Sequence, residues 1–438
     1  MNRNFIEIYR KSKVIKNIAW LFFDKVIRMG IGVIVLIFLA RYFGPEKYGL
    51  LNYAQAIIAL FTAISGLGLY GVVVRDLVKD KDSSTILGTA FGLKVISAIF
   101  AYAILIGTVY ILRPDDELSK FILSILGLTL IFNSSNIIKF WFESQVKSKY
   151  TVFIENSIFV FISSIKLIMI YYQFSFISFI YVFTFESFLV AFFLFFIYSK
   201  QENLFQWRFK TQKAKKLLKD SWPLIISSLA WILYTRIDQI MIGQILGDVE
   251  VGLYSAAIRL SDVANYIPAI IVFSIIPTIL KLKDENFKEY ERRFQKIYYI
   301  VISIMIISSV FVFVYSNEII YLLYGNEYMK SAKVLVIQFW IIVFVAMATI
   351  SGKYFLNAGL QKITMKRHLF GLMLNISLNY LMIPLYGIEG AAIASLISLI
   401  LANYIFDSFT KDTRGVFFQK TKALTFFWIF EYINGKNE

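Results

Sequence analysis

The 438-residue chain is 58% apolar and 18% aromatic, with only 17% charged residues and a formal net charge of +16. That balance excludes an ordinary soluble globular protein, whose charged fraction is about 25%. It contains no cysteine, which excludes disulfides and thiolate metal sites.

A hydrocarbon core of about 30 Å takes about 20 helical residues to cross. Lipid cannot satisfy the open edges of strands, so the long apolar runs must be closed helices. The start, 1–16, is basic and lacks a small-residue cleavage motif after a short apolar core. It reads as a cytoplasmic lead-in and not as a cleaved signal peptide. Twelve spans follow: 17–43, 49–74, 86–112, 119–141, 150–172, 174–199, 221–246, 251–280, 296–323, 331–356, 366–384 and 388–410. Only Tyr172-Gln173-Phe174 separates the fifth from the sixth, which predicts a tight hairpin.

Orientation follows from Lys and Arg. With the N-terminus inside, the inner segments hold 31 of these residues, the outer loops 6 and the spans 8. Both termini are therefore expected in the cytoplasm. The positive charge lies against the anionic inner leaflet and needs no nucleic acid to explain it. The longest inner loop, Lys200 to Asp220, is either a topological anchor and linker or a docking surface for acidic headgroups or a cytoplasmic partner. The basic and aromatic tail, 411–438, contains Phe426-Phe-Trp-Ile-Phe430. This aromatic run is too short to span and is expected in the interface beside Lys420 and Lys422.

The two halves echo each other. Gly44-Pro-Glu-Lys-Tyr-Gly49-Leu50-Leu-Asn-Tyr-Ala54 follows the first span, and Gly247-Asp-Val-Glu-Val-Gly252-Leu253-Tyr-Ser-Ala-Ala257 follows the seventh, 203 positions later. Ala19-Trp20 and Ala230-Trp231 repeat at an offset of 211. Together these echoes predict a parallel duplication of six helices. The expected organisation is an all-α polytopic membrane protein with about twelve helices in two six-helix lobes around a central cavity. The lobes are expected at 1–199 and 221–410, joined by a linker at 200–220 and followed by the tail at 411–438.

Ionisable groups within spans cost several kcal/mol unless they meet a partner or a wet cavity. The first span holds Asp24, Lys25 and Arg28, with Asp24 and Arg28 four apart and able to pair. The fifth holds Glu155 and Lys166, nearly on one face; the sixth holds Glu186. The seventh holds Arg236 and Asp238, the eighth Arg259 and Asp262, and the eleventh Asn375 and Asn379. Lys94, Lys353 and Glu155 lie within about two turns of a span end, where snorkelling is the ordinary alternative to a buried role. Asn375 and Asn379 have the alternative role of joining helices.

No Gly-x4-Gly-Lys-[Ser/Thr] motif occurs, so the chain has no phosphate loop of its own. No outer loop is long enough for a catalytic domain, and the single histidine, His368, has no second histidine or metal-ligand cluster beside it. These absences argue against an enzyme and leave a carrier driven by a gradient, with no cofactor.

The run Asp238-Gln-Ile-Met-Ile-Gly243-Gln-Ile-Leu-Gly247-x4-Gly252-Leu-Tyr-Ser-Ala-Ala-Ile-Arg-Leu260 resembles the seventh-to-eighth helix region of the polysaccharide transporter family. So do Leu39-Ala-Arg-Tyr-Phe-Gly44-Pro-Glu-Lys-Tyr-Gly49 and Gly387-Ile-Glu-Gly390-Ala-Ala-Ile-Ala394 in their own positions. The resemblance covers the whole chain in length, helix count and repeat. It is to the O-antigen and capsule-repeat flippases of the multidrug/oligosaccharidyl-lipid/polysaccharide exporter superfamily. It implies alternating access in a bacterial inner membrane. It implies movement of an undecaprenyl-diphosphate-linked oligosaccharide from the cytoplasmic to the periplasmic leaflet, coupled to a proton or sodium. Membrane lipids and a polymerase and chain-length regulator of the same pathway are the other expected partners.

On that reading Lys25, Arg28, Lys166, Arg236 and Arg259 are the cations available to a diphosphate. Asn375, Asn379, Tyr234 and Tyr266 are available to sugars, and Glu186 or Asp238 to the coupling ion. A small-molecule exporter of the same superfamily, a lipid-linked repeat polymerase or ligase, and a non-transporting scaffold of a glycan assembly complex are the competing readings.

Overall fold

The computed structural model describes residues 3–80, 82–280 and 282–425. Every regular element among them is helical. The first half contains α1 (Arg3–Gly66), α2 (Leu69–Lys79), α3 (Ser83–Leu112), α4 (Glu117–Gly127), α5 (Thr129–Phe132), α6 (Ile137–Ser144), α7 (Lys149–Tyr171) and α8 (Phe176–Ser199). The second contains α9 (Thr211–Ile245), α10 (Asp248–Ala264), α11 (Tyr266–Leu280), α12 (Leu282–Glu285), α13 (Phe287–Tyr324), α14 (Ser331–Asn357), α15 (Gln361–Asn403) and α16 (Lys411–Leu424).

Ten helical stretches among the described residues are long and apolar enough to cross a membrane. Two of them, at 53 and 47 residues, are too long for one crossing: 53 residues of helix extend about 80 Å. Each is broken by a glycine with positive φ, Gly44 (φ 70°) in α1 and Gly387 (φ 62°) in α15. Divided there, the ten stretches make the twelve expected crossings.

Several crossings are less regular than the sequence predicts, for local reasons. The fourth is split into α4, α5, a 3-10 turn at Asn133–Asn136, and α6. Its Asn133-Ser-Ser-Asn136 run is poor in helix formers, and Ser135 Oγ donates back to the Phe132 carbonyl at 2.8 Å. Lys94 Nζ donates to the Asn133 carbonyl at 3.0 Å, so this lysine satisfies the interrupted helix instead of snorkelling. The second crossing breaks at Leu67 and Gly68, both with positive φ. The eighth breaks at Asn265, between α10 and α11. Pro268 has no N–H for the carbonyl of Ala264, four residues before it.

The chain folds as two compact units, each packed mainly against itself. Unit 1 comprises 1–43 and 53–232; unit 2 comprises 44–52 and 233–438. Unit 1 has a core of Leu69, Val73, Leu87, Ala90, Ile137, Ile138, Phe142 and Leu194, drawn from α2, α3, α6 and α8. Unit 2 has one of Tyr298, Val301, Ile302, Ala346, Met347, Ile350 and Phe355, where α13 packs along α14. On α8, Tyr181, Phe185, Phe188, Phe192 and Phe196 recur at helical spacing and are exposed, as a lipid-facing stripe would be.

Residues 44–52 join unit 2 through the two motif echoes. Gly44 (φ 70°, ψ 173°) and Gly247 (φ 96°, ψ −179°) share a backbone conformation essentially reserved for glycine. A Cβ on Gly49 would overlap the Asp248 carbonyl, and one on Gly252 would overlap the Pro45 carbonyl. The contact is reciprocal, as a duplicated motif packed against its own copy requires.

Segment 200–220 is bound along its length to unit 1. The Lys210 N–H donates to Thr89 Oγ1 at 3.1 Å, and Trp207 Nε1 donates to the Tyr198 hydroxyl at 3.0 Å. Lys213 lies 3.1 Å from Asp76, and Arg75 lies 2.6 Å from Asp220.

The tail differs from expectation. Lys420 is not beside headgroups but fully buried at 0% exposure. Its ammonium donates to Asp407 Oδ2 at 2.7 Å, the Asn403 carbonyl at 2.6 Å and Ser351 Oγ at 3.1 Å. Arg367 Nη1 lies 3.5 Å from the same aspartate. The aromatic run from Phe426 lies outside the described residues.

Candidate functional site

In unit 1 the intramembrane charges form two groups. Asp24 accepts from Arg28 Nε at 2.8 Å, as their four-residue spacing predicts. Arg28 Nη2 lies 3.5 Å from Glu155, and Lys139 donates to that carboxylate at 2.7 Å. Glu155 therefore sits between two cations and does not snorkel. The Arg28 guanidinium stands 5.6 Å from the Phe159 ring centroid, and Lys25 is exposed. In the second group Lys166 Nζ donates to Glu186 Oε2 at 2.8 Å and lies 3.8 Å from the Phe183 ring centroid. Lys166 thus meets Glu186, not Glu155, its near neighbour along the helix face.

In unit 2 a buried carboxylate is held by neutral donors alone. Asp238 Oδ2 accepts from the Tyr254 hydroxyl at 2.7 Å and from Ser395 Oγ at 2.5 Å. Its Oδ1 accepts from Asn379 Nδ2 at 2.6 Å. Asn379 also donates to Asn375 Oδ1 at 3.1 Å, and Asn375 donates to Ser395 at 2.9 Å. Among the described residues no Lys or Arg forms an ion pair with Asp238, and Asn379 Oδ1 is buried without a hydrogen-bond partner. Its charge is offset by these neutral donors alone, an arrangement open to a proton or a small cation.

Beside it lies a second group. Arg236 Nη1 donates to Gln239 Oε1 at 3.3 Å, and Gln239 donates to Ser255 at 2.9 Å. Arg259 Nη2 donates to Asn52 Oδ1 at 3.2 Å, and Asn52 is fixed by donating to the Tyr48 carbonyl at 2.8 Å. Asp262 is an electrostatic neighbour of both guanidiniums. Two cations against one carboxylate leave a net positive charge suited to an anion.

Asp238, Asn375 and Asn379, to which the sequence gives separate roles, belong to one cluster. Arg236 and Arg259 fall together in another. Tyr234 has a buried hydroxyl without a partner, and Tyr266 is 40% exposed. Lys139, Tyr254, Ser395, Gln239 and Asn52 did not stand out in the sequence. Lys139 was detectable as one more charge within a span. Tyr254 and Ser395 lie in or beside the glycine motifs without a feature of their own.

Comparison with known proteins places these groups in context. A family profile described as polysaccharide biosynthesis protein matches residues 14–283, and one described as MatE matches 223–381. A Staphylococcus aureus protein named capsular polysaccharide biosynthesis protein CapF is 25% identical over 410 residues, 89% of this chain and 97% of that one. A Shigella flexneri protein named as an O-antigen transporter is 26% identical over 412 residues, 89% of this chain and 95% of that one. Among solved structures, lipid II flippase MurJ in an inward closed conformation superposes with a TM-score of 0.72 at 16% identity, covering 96% of this chain and 93% of that one. An inward-facing multidrug resistance MATE family transporter gives 0.69 at 12% identity, covering 93% and 98%. At these identities the structures share the fold.

Proposed function

Because the chain belongs to the polysaccharide biosynthesis protein family, whose profile matches more than half of it, we propose that it is a flippase for lipid-linked oligosaccharide repeat units. The substrate is an undecaprenyl-diphosphate-linked unit of O-antigen or capsule, moved from the cytoplasmic to the periplasmic leaflet of the inner membrane by alternating access. The names of the two long relatives support the glycan class, and the 31-to-6 charge bias supports the orientation. The protein works as a carrier and makes or breaks no bond in its substrate.

The observation that carries the proposal is the net-positive group of Arg236, Arg259 and Asp262. A diphosphate loses hydration on entering a membrane protein, and fixed guanidiniums with bidentate donors offset that loss. Lys25 supplies further positive charge in unit 1, and Arg28, now paired with Asp24, would do so on exchanging that partner for the substrate. The transport cycle is driven by a proton or sodium at Asp238, with Asn375, Asn379, Tyr254 and Ser395 as its neutral surround.

The MatE match favours a second reading, export of a small cationic molecule. Carboxylates would then do the binding and guanidiniums would oppose it. Restoration of surface glycan in a flippase-deficient strain separates the two readings. Arg236→Ala and Arg259→Ala should lose glycan export at normal membrane levels, and Lys at either position should keep part of it. Full export by both Ala variants overturns the assignment. Drug resistance without glycan export favours the second reading.

A further inference from the structure

The two halves repeat one contact with different chemistry. In unit 1 Lys166 of α7 meets Glu186 of α8 at 2.8 Å, twenty residues along the chain. In unit 2 Asn375 meets Ser395 at 2.9 Å, also twenty residues along, across the break at Gly387 in α15. Each contact joins the fifth crossing of its half to the sixth. Lys166 and Asn375 are 209 positions apart, as are Glu186 and Ser395, and that offset lies between the 203 and 211 of the other echoes. By the repeat, Lys166 corresponds to Asn375 and Glu186 to Ser395.

In unit 2 this contact borders the carboxylate of Asp238, where every donor is neutral. In unit 1 it holds a carboxylate and an ammonium covalently attached to α7. The Lys166 side chain is 6% exposed, and the Phe183 ring stands 3.8 Å from its nitrogen. A cation tethered beside its partner has a far higher effective concentration than any ion in solution. Glu186 is 22% exposed, so an ion from solution reaches it only in competition with the tethered ammonium.

We infer that Lys166 is a built-in counter-ion that keeps Glu186 from exchanging an ion, so that ion exchange falls to Asp238 and not to the corresponding pair in unit 1. The inference rests on the reading of Asp238 as the coupling group and deepens it: one half exchanges its ion, and the corresponding half carries a fixed one.

Infrared difference spectra of the purified full-length protein, recorded across pH and with added sodium, test the inference. A carboxyl group that takes up a proton gains a C=O band, and sodium competes that band away. Lys166→Met should gain one such band, the added substitution Glu186→Gln should remove it, and Lys166→Arg should not gain it. A folded Lys166→Met protein with no new band overturns the inference. So does a wild-type band that Glu186→Gln removes. If Lys166→Met fails to reach the membrane, Glu186→Gln alone decides: an unchanged titrating spectrum supports the fixed pair, and a lost band overturns it. Asp238→Asn is read separately. If the sodium-sensitive band of the wild type is unchanged by it, the coupling reading fails, while the Lys166 variants still report on Glu186.

Discussion

Gly49 and Gly252 hold two helix starts in backbone contact, each lying against the first residue of the other's helix. A methyl group at either position has no space, because the neighbouring atoms are main-chain carbonyls that cannot rotate away. Gly49→Ala and Gly252→Ala should each lower stability by about 1–3 kcal/mol through overpacking. Gly107 has no atom within 4 Å of its would-be Cβ. Gly107→Ala should therefore be neutral, or stabilising by about 0.5–1 kcal/mol. Thermal unfolding midpoints of the detergent-solubilised variants check the contrast.

Asp238→Asn preserves side-chain size and removes the charge that only neutral donors offset. Folding should be retained and membrane levels should match or exceed wild type, because a buried unpaired charge is gone. Glycan export should fail, and residual flipping should no longer respond to an uncoupler or to sodium. Undiminished gradient-driven export would remove Asp238 from the coupling step.

The basic inner segments predict where reporters work. Fusions after Asp220 and at Glu438 should be active with a cytoplasmic reporter and silent with a periplasmic one. A periplasmic signal at either point reverses the orientation.

Lys420 gives a pH dependence with a definite sign. Burial, with the Arg367 charge beside it, pushes its amine down to about 7, against about 10.4 in water. Between these values the detached helix binds more protons than the docked one, so α16 docks more firmly as pH rises from about 7 toward 10. Below about 7 the docking strength is flat and at its lowest, weaker by an amount on the order of a few kcal/mol. Proteolysis within 411–424 should slow from about pH 6 to about pH 9, corrected for protease activity. Lys420→Met leaves Arg367 paired with Asp407 and should abolish the dependence.

The crossings were legible because hydropathy over about 20 residues is a local property. The Gly-x4-Gly echoes were legible for the same reason, and they mark the turns that divide α1 and separate α9 from α10. The interruption at Asn133–Asn136 was not predicted, since its apolar flanks read as one span and the lysine that stabilises it comes from α3. The Asp238 cluster was half legible. Its asparagines stood out as polar residues in lipid, but Asn379 is 141 positions from Asp238 and Ser395 is 157. Nothing local joins them. Lys420 misled for the opposite reason: a lysine in a basic tail resembles every other headgroup-facing lysine until its partner Asp407 is found.

The segment bound to Thr89 bears on how the molecule can be divided. Unit 1 keeps residues up to Ile232, while unit 2 takes 44–52 from the first repeat. Each repeat has therefore lent a piece to the other's fold. A fragment ending at Ser199 would leave Thr89 and Tyr198 without their partners Lys210 and Trp207. A fragment starting at Lys200 would leave the Gly252 face without Pro45. A cut at the repeat boundary therefore strips native contacts from both fragments, however cleanly the repeat divides on paper.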